Sequence, residues 1–307
     1  MRVAAVDIGT NSTRLLIADI GANGTVQELL RRSEVTRLGD RVDSDGRLTE
    51  QAIERTCAVL GSYREAIDEH SCKANLAVLT SAVRDASNGQ EFQQHIRELY
   101  ELDTRVLSGD EEAQLTFLGA MSDRELTVEP TVVIDIGGGS TEFIVGHDHT
   151  AGFHASLQAG VVRMSERHIN SDPPTPHELQ SLARETRAIF LEGLPPAERA
   201  PVLRGIAVAG TATATAAIDQ ELEPYDPKRV HGYPLLLGTV ELLLARLADM
   251  TEEQRRNVAG LHPDRAPTIL AGMILLSEAM RAFELDQVEA SEHDILYGAV
   301  LRLAGVD

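Results

Sequence analysis

Residues 7–14 read DIGTNSTR, and residues 135–142 read DIGGGSTE. Each octet follows a short apolar run and leads into another, which predicts a strand, a tight turn and a second strand. The last residue changes its charge between the copies, from Arg14 to Glu142. Two copies of one unit are too few for a solenoid, which needs at least about three, and indicate an internal duplication.

The rest of the chain alternates short β-rich runs with longer helical runs, which predicts an α/β fold. Its 307 residues are enough for two domains, each with its own core. The polar segment MSDRELTVEP at 121–130 ends just before a new apolar strand and predicts the boundary. We therefore expect a first domain at 1–124 and a second at 125–307, with a cleft between them.

Composition excludes several classes of protein. No apolar run approaches the roughly 18 residues of a membrane span, and the N-terminus lacks a signal-peptide pattern, so we expect a cytoplasmic protein without a membrane partner. Cys57 and Cys72 are the only cysteines and lack CxxC spacing, so neither a disulfide framework nor a zinc site is predicted. The net charge of −20 and the absence of tryptophan argue against binding to nucleic acid.

The turn of each octet has the chemistry of a phosphate-binding loop. Glycine lets the backbone approach a ligand closely, and turn N–H groups with serine and threonine hydroxyls form a concave anion site. An aspartate at the end of the strand can reach a divalent cation. One copy alone could be an ordinary β-hairpin, but two matched copies favour binding. The candidate ligands are Thr10, Asn11 and Ser12 in the first loop and Gly137, Gly138, Gly139, Ser140 and Thr141 in the second.

A third candidate is GIAVAGTATATAAI at 205–218. A buried strand runs into Gly210 and Thr211, which begin a helix whose first N–H groups favour an anion. Small-residue turns of this kind are common in α/β proteins, so a purely structural role stays open.

Several motifs together resemble one family: in chain order, DIGTNSTR, TSAVRDA (80–86), SGDEEA (108–113), DIGGGSTE, AGTATATAA (209–217) and HPDRAPTILAG (262–272). The set is similar to the exopolyphosphatase/guanosine pentaphosphate phosphatase family, within the superfamily of actin, acetate kinase, sugar kinases and heat-shock proteins. The resemblance spans nearly the whole chain and implies two ribonuclease H-like domains. Longer members add a C-terminal helical domain, so the chain resembles a short, two-domain member of actinobacterial type.

The resemblance implies Mg²⁺-dependent hydrolysis of the terminal phosphoanhydride of polyphosphate, with release of orthophosphate. The family's general base, which takes a proton from the attacking water, falls on Glu112. Ser108 and Glu111 predict a capping box, because a serine followed three residues later by glutamate is typical of a helix start. The capping box accounts for Glu111 but does not require Glu112.

The same resemblance implies that Asp135 and Glu142 bind magnesium, with Asp7 bound through water or as an additional ligand. Arg84 is a predicted phosphate ligand, since the guanidinium fork matches phosphate oxygens. Its alternative is an ordinary arginine on a helix surface.

Two further arginines have open roles. Arg14 could offer positive charge to the substrate or be a solvated strand residue. Arg265 could bind substrate or pair with acidic residues nearby.

Four functions fit these motifs. The first is an exopolyphosphatase, with a preference for short chains because no extra domain is there to hold a long polymer. The second is a guanosine pentaphosphate (pppGpp) 5′-phosphatase acting by the same chemistry. The others are an ATP-dependent kinase of the same fold and a sensor that binds polyphosphate or nucleotide without turnover. A homodimer is expected from relatives of this fold.

An acidic protein that acts on a polyanion should depend steeply on Mg²⁺, because the ion lowers the charge of the substrate. We expect phosphate release to rise with Mg²⁺ at constant ionic strength and not to be restored by monovalent salt. Equal turnover in excess chelator would contradict this expectation.

Overall fold

The computed structural model of the chain describes residues 1–21, 24–125 and 128–305. It divides into two compact units: unit 1 is Met1–Arg124 with Asp294–Asp307, and unit 2 is Glu125–His293. The division after residue 124 lies at the predicted boundary, although residues 126, 127, 306 and 307 of the predicted domains lie outside the described residues. The predicted second domain was wrong at its end, because residues from 294 onward belong to unit 1.

Unit 1 is built on a five-stranded sheet in the order β3-β2-β1-β4-β5. The first three strands are antiparallel neighbours, and β4 and β5 run parallel to β1, which is the ribonuclease H-like arrangement. The strands are β1 (Arg2–Ile8), β2 (Ser12–Ile20), β3 (Val26–Val35), β4 (Ala74–Leu79) and β5 (Thr104–Val106). The helices are α1 (Val42–Asp45), α2 (Glu50–Glu69), α3 (Ser81–Arg84), α4 (Gly89–Tyr100) and α5 (Gly109–Met121).

Helix α2 shows why one face of this sheet is covered. Its residues Thr56, Leu60, Tyr63 and Ile67 recur at helical spacing and are all buried against the sheet. The hydroxyl of Tyr63 donates to the carbonyl of Thr13 at 2.8 Å, so its buried polar atom is paired. This contact ties the helix to the strand that follows the first octet.

Unit 2 repeats the same plan with one more strand, in the order β10-β11-β9-β6-β7-β8. Strands β6, β7 and β8 are antiparallel neighbours, β9 and β11 continue in parallel, and β10 is an antiparallel edge strand. The strands are β6 (Thr131–Ile136), β7 (Thr141–His147), β8 (Thr150–Leu157), β9 (Arg204–Val208), β10 (Tyr233–Leu236) and β11 (Gln287–Ala290). The helices are α6 (Val161–His168), α7 (Pro176–Gly193), α8 (Pro196–Arg199), α9 (Ala209–Asp219), α10 (Pro227–Val230), α11 (Leu237–Ala248), α12 (Glu252–Arg255) and α13 (Ile269–Ala282), with a 3-10 turn at Pro263–Arg265. The predicted α/β class with two ribonuclease H-like domains is confirmed.

Helix α13 is the centre of the unit 2 core. Every one of its residues except Arg281 is buried, as expected for a helix that is apolar on all sides. Its one buried charge, Glu278, is paired with Arg187 at 2.7 Å and also with Arg281. Within the described ranges, no helix has the length and apolar character that a membrane crossing requires.

The last helix, α14 (Ile295–Leu303), packs in unit 1 against β1 and α5. Two glycines let α14 and α5 approach at backbone contact. A Cβ on Gly298 would lie 1.9 Å from the carbonyl oxygen of Leu115, and a Cβ on Gly119 would lie 1.8 Å from that of Asp294. The sequence of α14 carries no information on which sheet the helix covers.

Gly298→Ala should therefore destabilise the protein by about 2–3 kcal/mol, the usual range for forcing atoms into a packed interface. The matched control is Gly61→Ala in helix α2 of the same unit, where the nearest atom is 3.8 Å from the added Cβ. The control should be neutral or stabilising by up to about 1 kcal/mol, the propensity difference between the two residues. Denaturant unfolding of both variants measures the difference, and equal stabilities would show that the close approach is not needed.

Candidate functional site

The two octets form the same hairpin in the two units. In each, the first turn glycine donates its N–H to the carbonyl of the serine three residues later, at 3.0 Å for both Gly9 and Gly137. The strand register places Asp7 opposite Arg14 in unit 1 and Asp135 opposite Glu142 in unit 2. The repeated hairpin agrees with the predicted internal duplication. In each unit, the residue whose charge differs between the octets lies directly across from the aspartate that both octets share.

In the first loop, N–H groups of the segment after β3 donate to the backbone carbonyls of the loop. Thr10 accepts from the N–H of Gly39 at 2.8 Å, and Asn11 accepts from the N–H groups of Thr36 and Arg37 at 3.1 and 2.9 Å. Gly39 has to be small there, since a Cβ would lie 2.2 Å from the methyl of Thr10. The N–H groups of Thr10 and Asn11 have no acceptor among the described residues. Backbone donors left in this way form an anion site.

The second loop is held in the same way, by the start of helix α6. The carbonyls of Gly137 and Gly138 each accept an N–H bond of 2.9 Å from the first residues of that helix, Val161 and Val162. The N–H groups of Gly138, Gly139 and Ser140 find no acceptor within residues 1–21, 24–125 and 128–305. The two loops therefore offer uncommitted N–H donors by the same arrangement.

Two residues that sequence reasoning missed support the glycine loop. Gly160 packs against it so closely that a Cβ would lie 2.4 Å from the carbonyl carbon of Gly138. Arg163 donates from Nε to the carbonyl of Gly139 at 3.0 Å. Neither carried a recognisable signal, since an arginine in the first turn of an amphipathic helix is usually on the surface.

The threonine of each octet has a structural role. Thr141 is fully buried, and its hydroxyl donates to the carbonyl of Ala159 at 2.6 Å. Its counterpart Thr13 is also fully buried and shares a 2.9 Å hydrogen bond with the hydroxyl of Thr36. The predicted contact between the Thr141 side chain and a substrate is therefore corrected: this side chain braces the turn.

Arg14 lies between two buried carboxylates. Its Nε and Nη2 donate to Oδ2 of Asp7 at 2.9 and 2.6 Å, and its Nη1 contacts Oδ2 of Asp294. Arg14 is not a solvated strand residue, because its guanidinium pairs with two buried carboxylates and its side chain is only 20% exposed, whereas its contact with substrate stays a prediction. Burial raises the pKa of Asp7 although Arg14 opposes it, whereas for Asp294 burial is outweighed by Arg14 and Arg31, which hold its pKa below the usual range.

In unit 2 the same position of the hairpin carries a second carboxylate. Glu142 is fixed through Oε1, which accepts from the hydroxyls of Ser140 at 2.5 Å and Ser156 at 2.8 Å. Asp135 and Glu142 lie directly across from each other in the antiparallel pair, so their carboxylates are candidate ligands for one cation. A set of oxygen donors is what Mg²⁺ prefers.

Asp7 is a weaker candidate ligand than these two acids. Its Oδ2 is committed to Arg14, and the residue is 5% exposed. Its Oδ1, however, is buried without a hydrogen-bond partner among the described residues. That oxygen is the part of Asp7 that could reach an ion or a water.

Three predicted residues come together in unit 1 through the short helix α3. Thr10 shares a 3.1 Å hydrogen bond with Ser81 at the start of this helix. At its end, Arg84 donates from Nη1 to the carbonyl of Leu107 at 2.9 Å and to Oε2 of Glu112 at 3.1 Å. Arg84 lies at the surface, with a side chain that is 32% exposed, and its contact holds the carboxylate of the predicted base.

The predicted capping box at the start of α5 is confirmed, and it includes Glu111 but not Glu112. Ser108 accepts from the N–H of Glu111 at 3.2 Å, and Glu111 accepts from the N–H of Ser108 at 2.9 Å. These bonds, together with Arg105, lower the pKa of Glu111. Glu112 is not part of the box, and its side chain is 23% exposed.

The third motif brings Arg265 onto the start of helix α9. The guanidinium is so close to Gly210 that a Cβ there would lie 1.7 Å from Nη1. Thr211 is 4% exposed, and its hydroxyl lies 2.8 Å from the position of a Cβ on Gly272 of α13, so its side chain is packed into the core. The predicted binding by Gly210 and Thr211 rests on backbone N–H groups at the helix start and stays a prediction, and Gly210 and Arg265 lie together.

Comparison with known proteins agrees with this architecture. Residues 16–304 match the model of the Ppx/GppA phosphatase family. The chain belongs to this family. It is 38% identical to Exopolyphosphatase 2 of Mycobacterium tuberculosis over 99% of both chains. The crystal structure of the Aquifex aeolicus Ppx/GppA family member superposes with a TM-score of 0.87 at 31% identity, covering 99% of this chain and 97% of that one.

A second crystal structure, an exopolyphosphatase from Cytophaga hutchinsonii, superposes on this Ppx/GppA protein with a TM-score of 0.86. The two sequences are 27% identical, and the match covers 100% of this chain and 99% of the other. The expected family is confirmed, and with it the expectation of a hydrolase at the level of the family.

Gly210→Ala tests whether Arg265 binds phosphate in this Ppx/GppA protein. The added Cβ meets the flexible end of Arg265, so the arginine should move at little cost in stability. We expect the affinity for pyrophosphate, measured by calorimetry with Mg²⁺, to fall by about ten-fold, as for the loss of one hydrogen bond to a charged group. Gly238→Ala, in a unit 2 helix with no atom within 4 Å of the added Cβ, is the control. Unchanged affinity in Gly210→Ala would remove Arg265 from the site.

Proposed function

We propose that this Ppx/GppA protein is an Mg²⁺-dependent exopolyphosphatase that hydrolyses the terminal phosphoanhydride of polyphosphate. The observation that carries the proposal is the repeated loop: in both units its carbonyls are held from one side, and N–H groups are left without acceptors. Each loop suits a phosphate group, whose oxygens accept hydrogen bonds from backbone N–H groups. The names of the relatives from M. tuberculosis and C. hutchinsonii support the same substrate.

Asp135 and Glu142 would hold the magnesium ion, and Oδ1 of Asp7 is a third candidate oxygen. The hydroxyls of Ser140 and Ser156 keep the Glu142 carboxylate in one orientation for this purpose. When bound, the ion supplies positive charge to the phosphoryl oxygens. The carboxylates would otherwise repel a polyanionic substrate, so ion and substrate should bind together.

Glu112 would act as the general base. It takes a proton from a water molecule while the water oxygen forms a bond to the terminal phosphorus. The bond from that phosphorus to the bridging oxygen breaks, and the shortened chain leaves with the electron pair. Arg84, bound to Oε2 of Glu112, holds the carboxylate in place and is expected to contact a phosphate oxygen as well.

Glu112→Gln should reduce kcat by about 10²–10⁴-fold, the usual contribution of a general base. Glu111→Gln is the matched control, because Glu111 is adjacent to Glu112 but its carboxylate serves the capping box and not the proposed reaction. Phosphate release with Mg²⁺ would be measured on tripolyphosphate, long-chain polyphosphate, pppGpp and ATP. Near-normal activity of Glu112→Gln would show that another group is the base.

The same assay separates the rival functions. A higher kcat/KM on tripolyphosphate than on long chains is expected from the proposed preference for short substrates. Release from pppGpp alone would identify a nucleotide phosphatase, and transfer of phosphate from ATP to an added acceptor would identify a kinase. Binding without release would identify a sensor. The expected homodimer stays a prediction that sedimentation would test.

A further inference from the structure

We propose that Arg14 and Asp294 are positioning residues for the phosphatase site: they fix the carboxylate of Asp7, and through them α14 supports the site. The inference rests on the proposed function, in which Asp7 is a candidate ligand of the ion. Neither residue was assigned this role by the sequence, where Asp294 is only the cap of the last helix.

Asp7, Arg14 and Asp294 form a cluster in which burial makes the contacts between the charged groups necessary. Asp7 and Asp294 are 5% and 3% exposed, so each carboxylate needs a partner of opposite charge or a set of hydrogen-bond donors. Arg14 meets both needs because a guanidinium presents separate edges to different acceptors. Its Nε and Nη2 point to Asp7, and its Nη1 points to Asp294. The arginine is therefore fixed from two sides.

The arrangement determines how the Asp7 carboxylate is turned. Both donors from Arg14 reach the same oxygen, Oδ2, which leaves Oδ1 as the oxygen without a partner among the described residues. Asp7 lies two residues before the loop, and both its oxygens are 4.0 Å from where Gly9 would carry a Cβ. Both oxygens are thus equally near the start of the loop, and the pairing with Arg14 decides which of them stays available.

Asp294 is itself held by helix α14. Its Oδ1 accepts from the N–H of Leu296 at 3.0 Å, so one carboxylate both caps the helix and pairs with Arg14. Arg31 is a further nearby cation, and its guanidinium lies 5.4 Å from the ring centroid of Tyr297 on the same helix. A movement of the start of α14 would therefore displace the carboxylate of Asp294 and with it the guanidinium of Arg14.

The same helix also supports the element that carries the predicted base. Helix α14 touches α5 at Gly119 and Leu115, and Glu112 lies on the same stripe one turn earlier. One helix therefore fixes both predicted acids of unit 1, Asp7 through Arg14 and Glu112 through α5.

Asp294→Asn isolates the ion pair, because asparagine caps a helix as well as aspartate does. The control is Asp226→Asn, another capping aspartate, which accepts from the N–H of Lys228 at the same 3.0 Å but lies in unit 2. Phosphate release from tripolyphosphate would be followed while Mg²⁺ and substrate are varied separately. We expect kcat of Asp294→Asn to fall by about ten- to a hundred-fold, the order expected when a reacting group is displaced by up to about 1 Å.

The pattern of constants distinguishes positioning from mere support of the fold. In Asp294→Asn the Mg²⁺ concentration at half-maximal rate should rise, whereas KM for tripolyphosphate at saturating Mg²⁺ should not change. Asp226→Asn should match the unmodified protein in all three constants. Where Asp294→Asn is unfolded at the assay temperature, Arg14→Lys replaces it: the charge stays, but one ammonium cannot present two edges, and the same pattern is expected.

Failure of the two proposals can be told apart. Constants of Asp294→Asn and Arg14→Lys equal to those of an active unmodified protein would overturn the positioning role alone. Absence of phosphate release from the unmodified protein would overturn the proposed function and the inference that rests on it.

Discussion

A carboxylate at the end of a buried strand has to be neutralised, and this requirement organises both units. Asp7 and Asp135 occupy equivalent positions, yet the residue opposite them on the neighbouring strand is positive in unit 1 (Arg14) and negative in unit 2 (Glu142). In unit 1 Arg14 completes a buried ion pair and links it to the last helix. In unit 2 Glu142 adds a second negative charge, and on the proposed function this pair of carboxylates holds the magnesium ion. The residue at this position thus distinguishes the two hairpins: Arg14 gives the first an internal ion pair, and Glu142 makes the second a candidate metal site.

The loops that follow these aspartates reach the same backbone arrangement by different means. A segment after β3 holds the first loop, and the start of helix α6 holds the second. In both cases a glycine outside the octet, Gly39 or Gly160, provides the space for close contact. On the proposed function, the loops therefore bind anions chiefly through backbone N–H groups, while the hydroxyls of Thr13 and Thr141 brace the turns.

Local patterns allowed much of this to be predicted. The hairpins, the separation of Glu111 from Glu112 by a capping box, and the α/β class all follow from spacing within a few residues. The contacts of Arg14 and Arg163 could not be predicted, because their partners are fixed by packing and not by neighbouring sequence. The identity of the sheet that α14 covers likewise depends on backbone contacts at Gly298.

The acidity of the chain bears on how a polyanion could be held. Two of the arginines at these loops are paired with carboxylates, Arg14 with Asp7 and Arg84 with Glu112, so they add little net positive charge. Arg265 at the start of α9 is a further candidate cation. The N–H groups of the loops are neutral donors, whose attraction for phosphate is short-ranged and directional. On the proposed function, the charge that draws the substrate in would then come mainly from its own magnesium.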